Sequence, residues 1–203
     1  MGKRKVKFLY DLISKNTYIN KKVTNKKPKR KISQGSLRYL VKRELTQSQC
    51  IKLGYAVEKL LSDLVLSLNK DITSIKVKPG KGEKETDHLF LYKNQIIFSE
   101  IKTNLNLDTE KTKSTVDKCK SISEKLKEMY PEKVNWKIVG ARYATRVPKA
   151  TSNKFKCTEG VVCSVNEYLE LFDTEFKFTE SEYQKWINCI AETMFKNKVN
   201  QLH

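Results

Sequence analysis

Apolar residues recur three and four positions apart in several stretches of the chain, which is the spacing of helices that bury one face. Two such stretches end at recognisable stop signals, one near Asn69 and one before Pro131. Two later helices are signalled by Ser or Thr with Glu three residues on, the spacing of a capping box. The predicted helices cover residues 53–69, 109–130, a short segment after Ser164, and 183–198.

Shorter runs of β-branched and aromatic residues between these helices predict strands. Two of the runs are separated only by Lys93-Asn94, so they should pair as a hairpin. The predicted strands cover residues 72–78, 87–93, 95–103, 136–145 and 160–163. The order of helix, three strands, helix, two strands and further helices predicts an α/β fold, in which helices flank a central mixed β-sheet of about five strands on both faces.

Basic residues are concentrated near the N-terminus. The net charge is +18, and residues 1–45 hold 15 Lys or Arg against two acids. The segment 14–35 is polar and basic, which predicts a basic, partly flexible arm over residues 1–35. The remaining residues, 36–203, have the length of one sizeable domain.

Such an arm suits a polyanionic partner, because each phosphate neutralised by Lys or Arg releases a condensed counterion. Arm residues such as Lys29 and Arg30 would grip the phosphates of such a partner without reading its sequence. The alternative is a solvated, lysine-rich surface that has no such partner.

The cellular compartment is predicted from three kinds of sequence signal that are missing. No apolar run approaches the ~18 residues of a membrane-spanning helix, and the first residues show no signal-peptide pattern. The five cysteines are irregularly spaced without a C-x-x-C pair, so neither a disulfide framework nor a zinc ribbon is indicated. These features predict a cytoplasmic protein.

Candidate chemistry lies on the predicted hairpin. Ile96, Phe98, Glu100 and Lys102 alternate along one strand and share a face, which is apolar at one end and charged at the other. Antiparallel pairing across the turn should set Asp87 close to Glu100. Two adjacent carboxylates suit Mg²⁺, a hard cation that prefers oxygen ligands. Lys102 can hold a water against a phosphate and stabilise the charge that develops there.

The pattern Glu-x-Lys occurs only twice, at Glu100–Lys102 and Glu175–Lys177, and only the first has an upstream Asp at a suitable distance on an apolar strand. The alternative interpretation is an amphipathic strand whose exposed end carries a solvated ion pair. With His88 and His203 as its two histidines, the chain lacks the parts of a His-metal nuclease or of a serine or cysteine hydrolase. His88 alternates to the face opposite Asp87, so we interpret it as structural.

Asp87, followed after twelve residues by Glu100-Ile101-Lys102, resembles the PD-(D/E)xK motif of type II restriction endonucleases. The predicted succession of helix, three-stranded meander, helix and strand also resembles the core of that superfamily, over about residues 50–165. The resemblance implies that Asp87 and Glu100 ligate Mg²⁺ with the main-chain carbonyl of Ile101, and that Lys102 positions or activates the attacking water. Thr86 stands where the motif has proline.

The resemblance further implies a catalytic glutamate from the helix before the sheet, for which Glu58 is the candidate. The alternative for Glu58 is a helix-surface acid that pairs with Lys59 or Lys52.

Residues at the end of the fourth predicted strand and just after it are candidates for DNA recognition, since Arg suits bidentate contact with guanine and Asn with adenine. The stretch 142–157 contains no acid. The candidates are Arg142, Arg146, Asn153 and Lys154, with Asn104, Asn106 and Lys111 as a second patch just past the third strand. The alternative for the first patch is ordinary surface charge on a loop.

These features together predict a type II restriction endonuclease, a Mg²⁺-dependent enzyme that cuts double-stranded DNA at specific sites, as a homodimer whose two sites cut the two strands. The resemblance also implies a cognate DNA methyltransferase as a partner.

Two alternative functions stay open. One is a repair or recombination nuclease with the same active site, such as a nicking endonuclease or a junction resolvase. The other is a non-enzymatic basic DNA- or RNA-binding protein.

Overall fold

The computed structural model describes residues 3–22, 41, 45–75, 86–130, 133–157 and 161–195. Its helices are α1 (Lys3–Lys15), α2 (Thr17–Lys22), α3 (Gln47–Leu68), α4 (Thr109–Met129), α5 (Lys149–Ser152), α6 (Val165–Glu170) and α7 (Glu180–Phe195). Its strands are β1 (Thr73–Ser74), β2 (His88–Tyr92), β3 (Gln95–Lys102), β4 (Lys133–Gly140) and β5 (Val162–Cys163), and a 3₁₀ turn covers Asn153–Phe155.

The chain divides into two compact units, whereas the sequence predicted a single domain over 36–203. One unit combines Met1–Leu64 with Phe178–His203, and the other consists of Val65–Lys177. The boundary falls within α3, a helix of 22 residues whose continuous apolar pattern gave no sign of it.

The second unit is built around a mixed sheet of five strands in the order β1-β2-β3-β4-β5. The first three strands are antiparallel neighbours, and β4 and β5 run parallel to β3. Parallel neighbours need a crossover connection, which α4 supplies between β3 and β4. The predicted α/β fold, a central mixed sheet of five strands flanked by helices, is confirmed.

The β2–β3 hairpin has the predicted turn. Tyr92 pairs with Gln95 and His88 with Ser99 across two turn residues. These residues, Lys93-Asn94, both have positive φ (47° and 54°), as a type I′ turn requires. One further step of the same register sets Asp87, immediately before β2, opposite Glu100.

Helices cover both faces of the sheet. On one face, α4 closes a core formed by alternate strand residues and the inward side of the helix: Leu89, Ile96, Phe98, Val116, Cys119 and Leu126. On the other face, the rings of His88 and Phe90 lie against those of Tyr168 and Phe172. Aromatic side chains bury large areas, so this second layer holds α6 firmly on the sheet.

Several predicted boundaries differ from the observed ones. β4 runs over Lys133–Gly140 instead of 136–145, because the chain turns at Ala141, whose amide donates to the carbonyls of Lys102 and Val139. β1 covers only Thr73–Ser74 within the predicted 72–78. Residues 76–85 lie outside the described part of the chain.

The N-terminal segment departs from the predicted arm. Residues 3–22 form α1 and α2, and Leu9 and Ile13 are buried on one side of α1 because they lie four residues apart. The Lys5 ammonium lies 2.6 Å from the Glu182 carboxylate on α7. Lysines on the outer side of α1 make the segment basic overall, so its composition did not indicate that Leu9 and Ile13 are buried. The rest of the predicted arm, 23–35 with Lys29 and Arg30, lies outside the described residues.

The five cysteines carry no disulfide. Of the helices in the described ranges, none has both the length and the hydrophobicity needed to cross a bilayer.

Candidate functional site

The buried carboxylate of Glu100, near the end of β3, is the centre of the predicted site. Its side chain is 5% exposed, and each of its oxygens accepts a hydrogen bond from a lysine. Lys102 Nζ lies 2.6 Å from Oε1, and Lys118 Nζ on α4 lies 2.6 Å from Oε2. A charge this deeply buried must be paired, because an unpaired carboxylate in apolar surroundings is very unfavourable.

Asp87 joins the site through the backbone of β3. Its Oδ2 accepts a hydrogen bond of 2.7 Å from the amide of Ile101. The amide and carbonyl of one strand residue point to the same neighbouring strand, so the Ile101 carbonyl also faces the side of Asp87, where β2 has not yet begun. The carbonyl of Lys102 points the other way and accepts from Ala141 N at 2.9 Å. The oxygen groups of Asp87, Glu100 and Ile101 thus lie at one end of the hairpin.

Lys102 keeps its positive charge in this setting. Burial lowers the pKa of Lys102, but the charge and hydrogen bond of Glu100 and the charge of Asp87 outweigh that effect, so the net shift of this pKa is upward. Its ammonium is therefore protonated at neutral pH and acts as a hydrogen-bond donor. The side chain is 30% exposed, which leaves part of it open to solvent.

Lys118 is a site residue that sequence reasoning missed. Its side chain is only 15% exposed and is directed at Glu100. Helix α4 contains six lysines, Lys111, Lys113, Lys118, Lys120, Lys125 and Lys127, and no local pattern separates Lys118 from the others. Only the crossover that lays α4 on the sheet brings it to the site. The next residue, Cys119, is not a nucleophile here, because burial raises the pKa of its thiol to about 12.

The donor set fits a hard divalent cation. Mg²⁺ prefers oxygen ligands and is usually held by one or two carboxylates together with substrate phosphates and water. Within the described ranges, no three or more His, Cys, Asp and Glu side chains are grouped so that they could hold a metal ion. Asp87, Glu100 and the Ile101 carbonyl therefore form an incomplete shell that a substrate phosphate would have to extend. Metal binding stays a prediction.

Glu58 lies on α3 in the first unit, whereas Asp87, Glu100 and Lys102 belong to the second. Its carboxylate lies 3.3 Å from the ammonium of Lys59. This is the pairing that the alternative interpretation of Glu58 expected, and a catalytic role for Glu58 stays a prediction.

His88 has the structural position that strand alternation predicted. It is 3% exposed, and its Nδ1 lies 2.8 Å from Tyr168 Oη on the face opposite α4. Burial raises the pKa of Tyr168, so its hydroxyl stays protonated and can hold the imidazole in place.

The two candidate DNA-contacting patches come together beside the site. Lys154 Nζ lies 3.5 Å from Asn106 Oδ1, a contact at the limit of hydrogen-bond distance. Beneath them, Leu105, Val147 and Phe155 belong to one buried core cluster. Apolar side chains therefore fasten the loop after β3 and the loop after β4 to the same face of the sheet.

Polar candidates on these loops differ in their accessibility. Arg142 is half-buried, with its guanidinium 5.8 Å from the centre of the Tyr143 ring. The exposed candidates are Arg146, Asn153, Lys154, Asn106 and Lys111.

Lys111 and Asn104 also take part in local contacts. The Lys111 ammonium lies 2.9 Å from the carboxylate of Asp108, which caps α4. Asn104 accepts a hydrogen bond of 2.9 Å from the amide of Asn106 and thereby braces the loop. DNA contact by either patch stays a prediction.

No protein-family model, curated protein or solved structure matches the chain. The resemblance to restriction endonucleases therefore rests on the Asp87 and Glu100–Lys102 motif and on the order of the helices and strands around it.

Proposed function

We propose that this chain is a Mg²⁺-dependent endonuclease with a restriction-endonuclease-like core, which hydrolyses phosphodiester bonds in double-stranded DNA. The observation that carries the proposal is the meeting of two carboxylates with a lysine at the open end of the β2–β3 hairpin. Asp87 Oδ2 accepts from the backbone of Ile101, and Lys102 donates to Glu100. These are the groups that metal-assisted phosphodiester hydrolysis requires.

Each group has a defined task in this proposal. Asp87, Glu100 and the Ile101 carbonyl would hold the cation, which when bound supplies Lewis-acid stabilisation of the charge on the phosphate. Lys102 would hold the attacking water or a phosphate oxygen with its N–H donors. In the overall reaction a water oxygen bonds to phosphorus, the ester P–O bond breaks, and the leaving oxygen takes up a proton.

Charge and position support a nucleic acid as the substrate. The chain carries a net charge of +18, and the exposed side chains of Arg146, Asn153 and Lys154 lie on a loop fastened to the same face as Glu100. Such a surface would grip a polyanion over several phosphates. In the finer form of the proposal the enzyme is a type II restriction endonuclease that acts as a homodimer on a palindrome, beside a cognate methyltransferase.

The test uses purified protein and unmethylated phage DNA with Mg²⁺, beside an EDTA control. Three nearly isosteric variants, Asp87→Asn, Glu100→Gln and Lys102→Met, should each lower the cleavage rate by at least about 100-fold, as the loss of one preorganised charge typically does. The matched control is Lys177→Met in the second Glu-x-Lys triplet, whose ammonium pairs with Glu170. This control should cleave at the wild-type rate.

The cleavage pattern separates the alternatives. Discrete fragments that disappear with EDTA and in the three variants would support a site-specific endonuclease. A smear or simple nicking lost in the same variants would keep the active site but favour a repair or junction nuclease. If the wild type binds DNA without cutting it, the catalytic proposal fails and a basic nucleic-acid-binding protein remains.

A further inference from the structure

We propose that Lys118 is a positioning residue that makes cation binding dependent on DNA. Its ammonium binds a Glu100 oxygen that a cation would otherwise bind. The inference rests on the proposed function, because it concerns the same carboxylates. It names a task for a residue outside the Asp87 and Glu100–Lys102 motif.

The first argument is the geometry of Glu100. Oε1 accepts from Lys102 and Oε2 from Lys118, both at 2.6 Å, so each carboxylate oxygen already has a cationic partner. Lys118 approaches from α4, whose neighbouring residues Val116 and Cys119 are buried in the core against the sheet. The backbone around Lys118 is therefore packed against the sheet, so we expect a movement of the side chain, and not of the helix, to free Glu100.

The second argument is the balance of charge. The positive charges of Lys102 and Lys118 together equal the negative charges of Asp87 and Glu100, so these side chains are neutral as a group. A divalent cation added to this partly buried group would meet two ammonium ions at short range, where screening by water is weak. The site without DNA should accordingly bind the cation poorly.

The third argument is what DNA adds. Once a cation enters, the four side chains and the cation together are positively charged, and a phosphodiester supplies negative charge to balance them. The phosphodiester oxygens are also strong acceptors for an ammonium. When a phosphate takes the hydrogen bond of Lys118, the Oε2 atom of Glu100 would become available to hold the cation. Lys118 therefore acts through Glu100, and the cation and DNA should each strengthen binding of the other.

The test measures Mg²⁺ binding to the full chain by calorimetry in the absence of DNA, and the Mg²⁺ concentration that gives half-maximal cleavage in its presence. Lys118→Met and Lys118→Gln each remove the charge, so that one variant remains if the other fails to fold. Lys118→Arg keeps the charge. Lys113→Met is the matched control, since Lys113 is an exposed lysine on the same helix.

We expect both neutral variants to bind Mg²⁺ about tenfold more tightly than the wild type without DNA, because one repulsive charge is gone. Their cleavage should also reach half its maximum at a lower Mg²⁺ concentration. Lys118→Arg and Lys113→Met should stay within about twofold of the wild type in both measurements. A merely structural role for Lys118 would weaken Mg²⁺ binding instead of strengthening it.

The outcomes separate this inference from the proposed function. If the wild type cleaves DNA with Mg²⁺ but the neutral variants bind Mg²⁺ equally or more weakly, the role of Lys118 is overturned and the nuclease stands. If neither the wild type nor any variant binds Mg²⁺ or cuts DNA, both proposals are overturned.

Discussion

Gly140 shows how closely single residues are packed beside the site. It ends β4, pairs with Lys102 in the parallel register, and has no room for a side chain. A Cβ atom there would lie 2.6 Å from Leu105 Cδ1 and 3.2 Å from side-chain atoms of both Tyr143 and Val147. The absence of a side chain therefore allows the loops after β3 and β4 to close over the strand end next to Lys102.

We predict that Gly140→Ala lowers the free energy of unfolding by about 1–3 kcal/mol, because a methyl group would overpack a buried contact. Urea denaturation followed by circular dichroism measures the change. In a Leu105→Val background, which removes the clashing Cδ1 atom, the same substitution should cause a smaller loss. An equal loss in both backgrounds would mean that the Leu105 contact is not the cause.

The N-terminus of helix α6 is stabilised by its N-cap residue, Ser164. This helix has six residues, too few to be stable in isolation, and it opens with the predicted capping box. The Ser164 hydroxyl accepts from the Glu167 amide, and the Glu167 carboxylate accepts from Ser164 N at 2.6 Å. The second predicted box is present at Thr179, where Oγ1 accepts from the Glu182 amide at 3.2 Å.

We predict that Ser164→Ala lowers the free energy of unfolding by about 1–2 kcal/mol, since Ser164 is fully buried and water cannot replace its bonds. The matched variant, Thr179→Ala, removes the same kind of cap where the hydrogen bonds are exposed to solvent, and it should cost less. Thermal and urea unfolding of both variants provide the comparison. A loss at Ser164 no larger than that at Thr179 would contradict this account.

At the scale of the whole molecule, charge is distributed unevenly. Residues 1–45 carry 15 of the 41 basic side chains but only two acids, and the excess gives most of the net charge of +18. Ion pairs neutralise some lysines in the second unit, including Lys93 with Asp173 and Lys177 with Glu170. Long-range attraction of a polyanion should therefore come mainly from the N-terminal quarter of the chain.

We predict that DNA affinity falls steeply with salt concentration. Replacing Lys29 and Arg30 together by Gln should reduce the steepness of log K against log salt by about 1–2, since each phosphate contact contributes about 0.9 to that slope. Fluorescence anisotropy with a labelled duplex measures the slope. Replacing Lys93 and Lys177 by Gln is the control, because their charges are already paired, and it should leave the slope unchanged. Equal slopes for wild type and the Lys29/Arg30 variant would show that these residues do not contact phosphate.

The sequence by itself determined the features that depend on neighbours along the chain. Alternation over Ile96–Lys102 and the two-residue turn at Lys93-Asn94 defined the hairpin, and with it the approach of Asp87 to the end of β3. Capping pairs three residues apart defined the starts of α6 and α7. These features were predictable because their interactions join residues on one helix turn, one strand or one tight turn.

Only the tertiary structure decided which distant segments meet. Lys118 reaches Glu100 across 18 residues, and Lys154 reaches Asn106 across 48, because α4 and the loop after β4 pack on the same face of the sheet. The burial of α1 and the boundary inside α3 were likewise not visible in local patterns. The physical reason is that the periodicity of a helix or strand shows which of its faces is apolar, but not which other helix or strand will pack on that face. The packing partner in turn determines which polar residues come into contact.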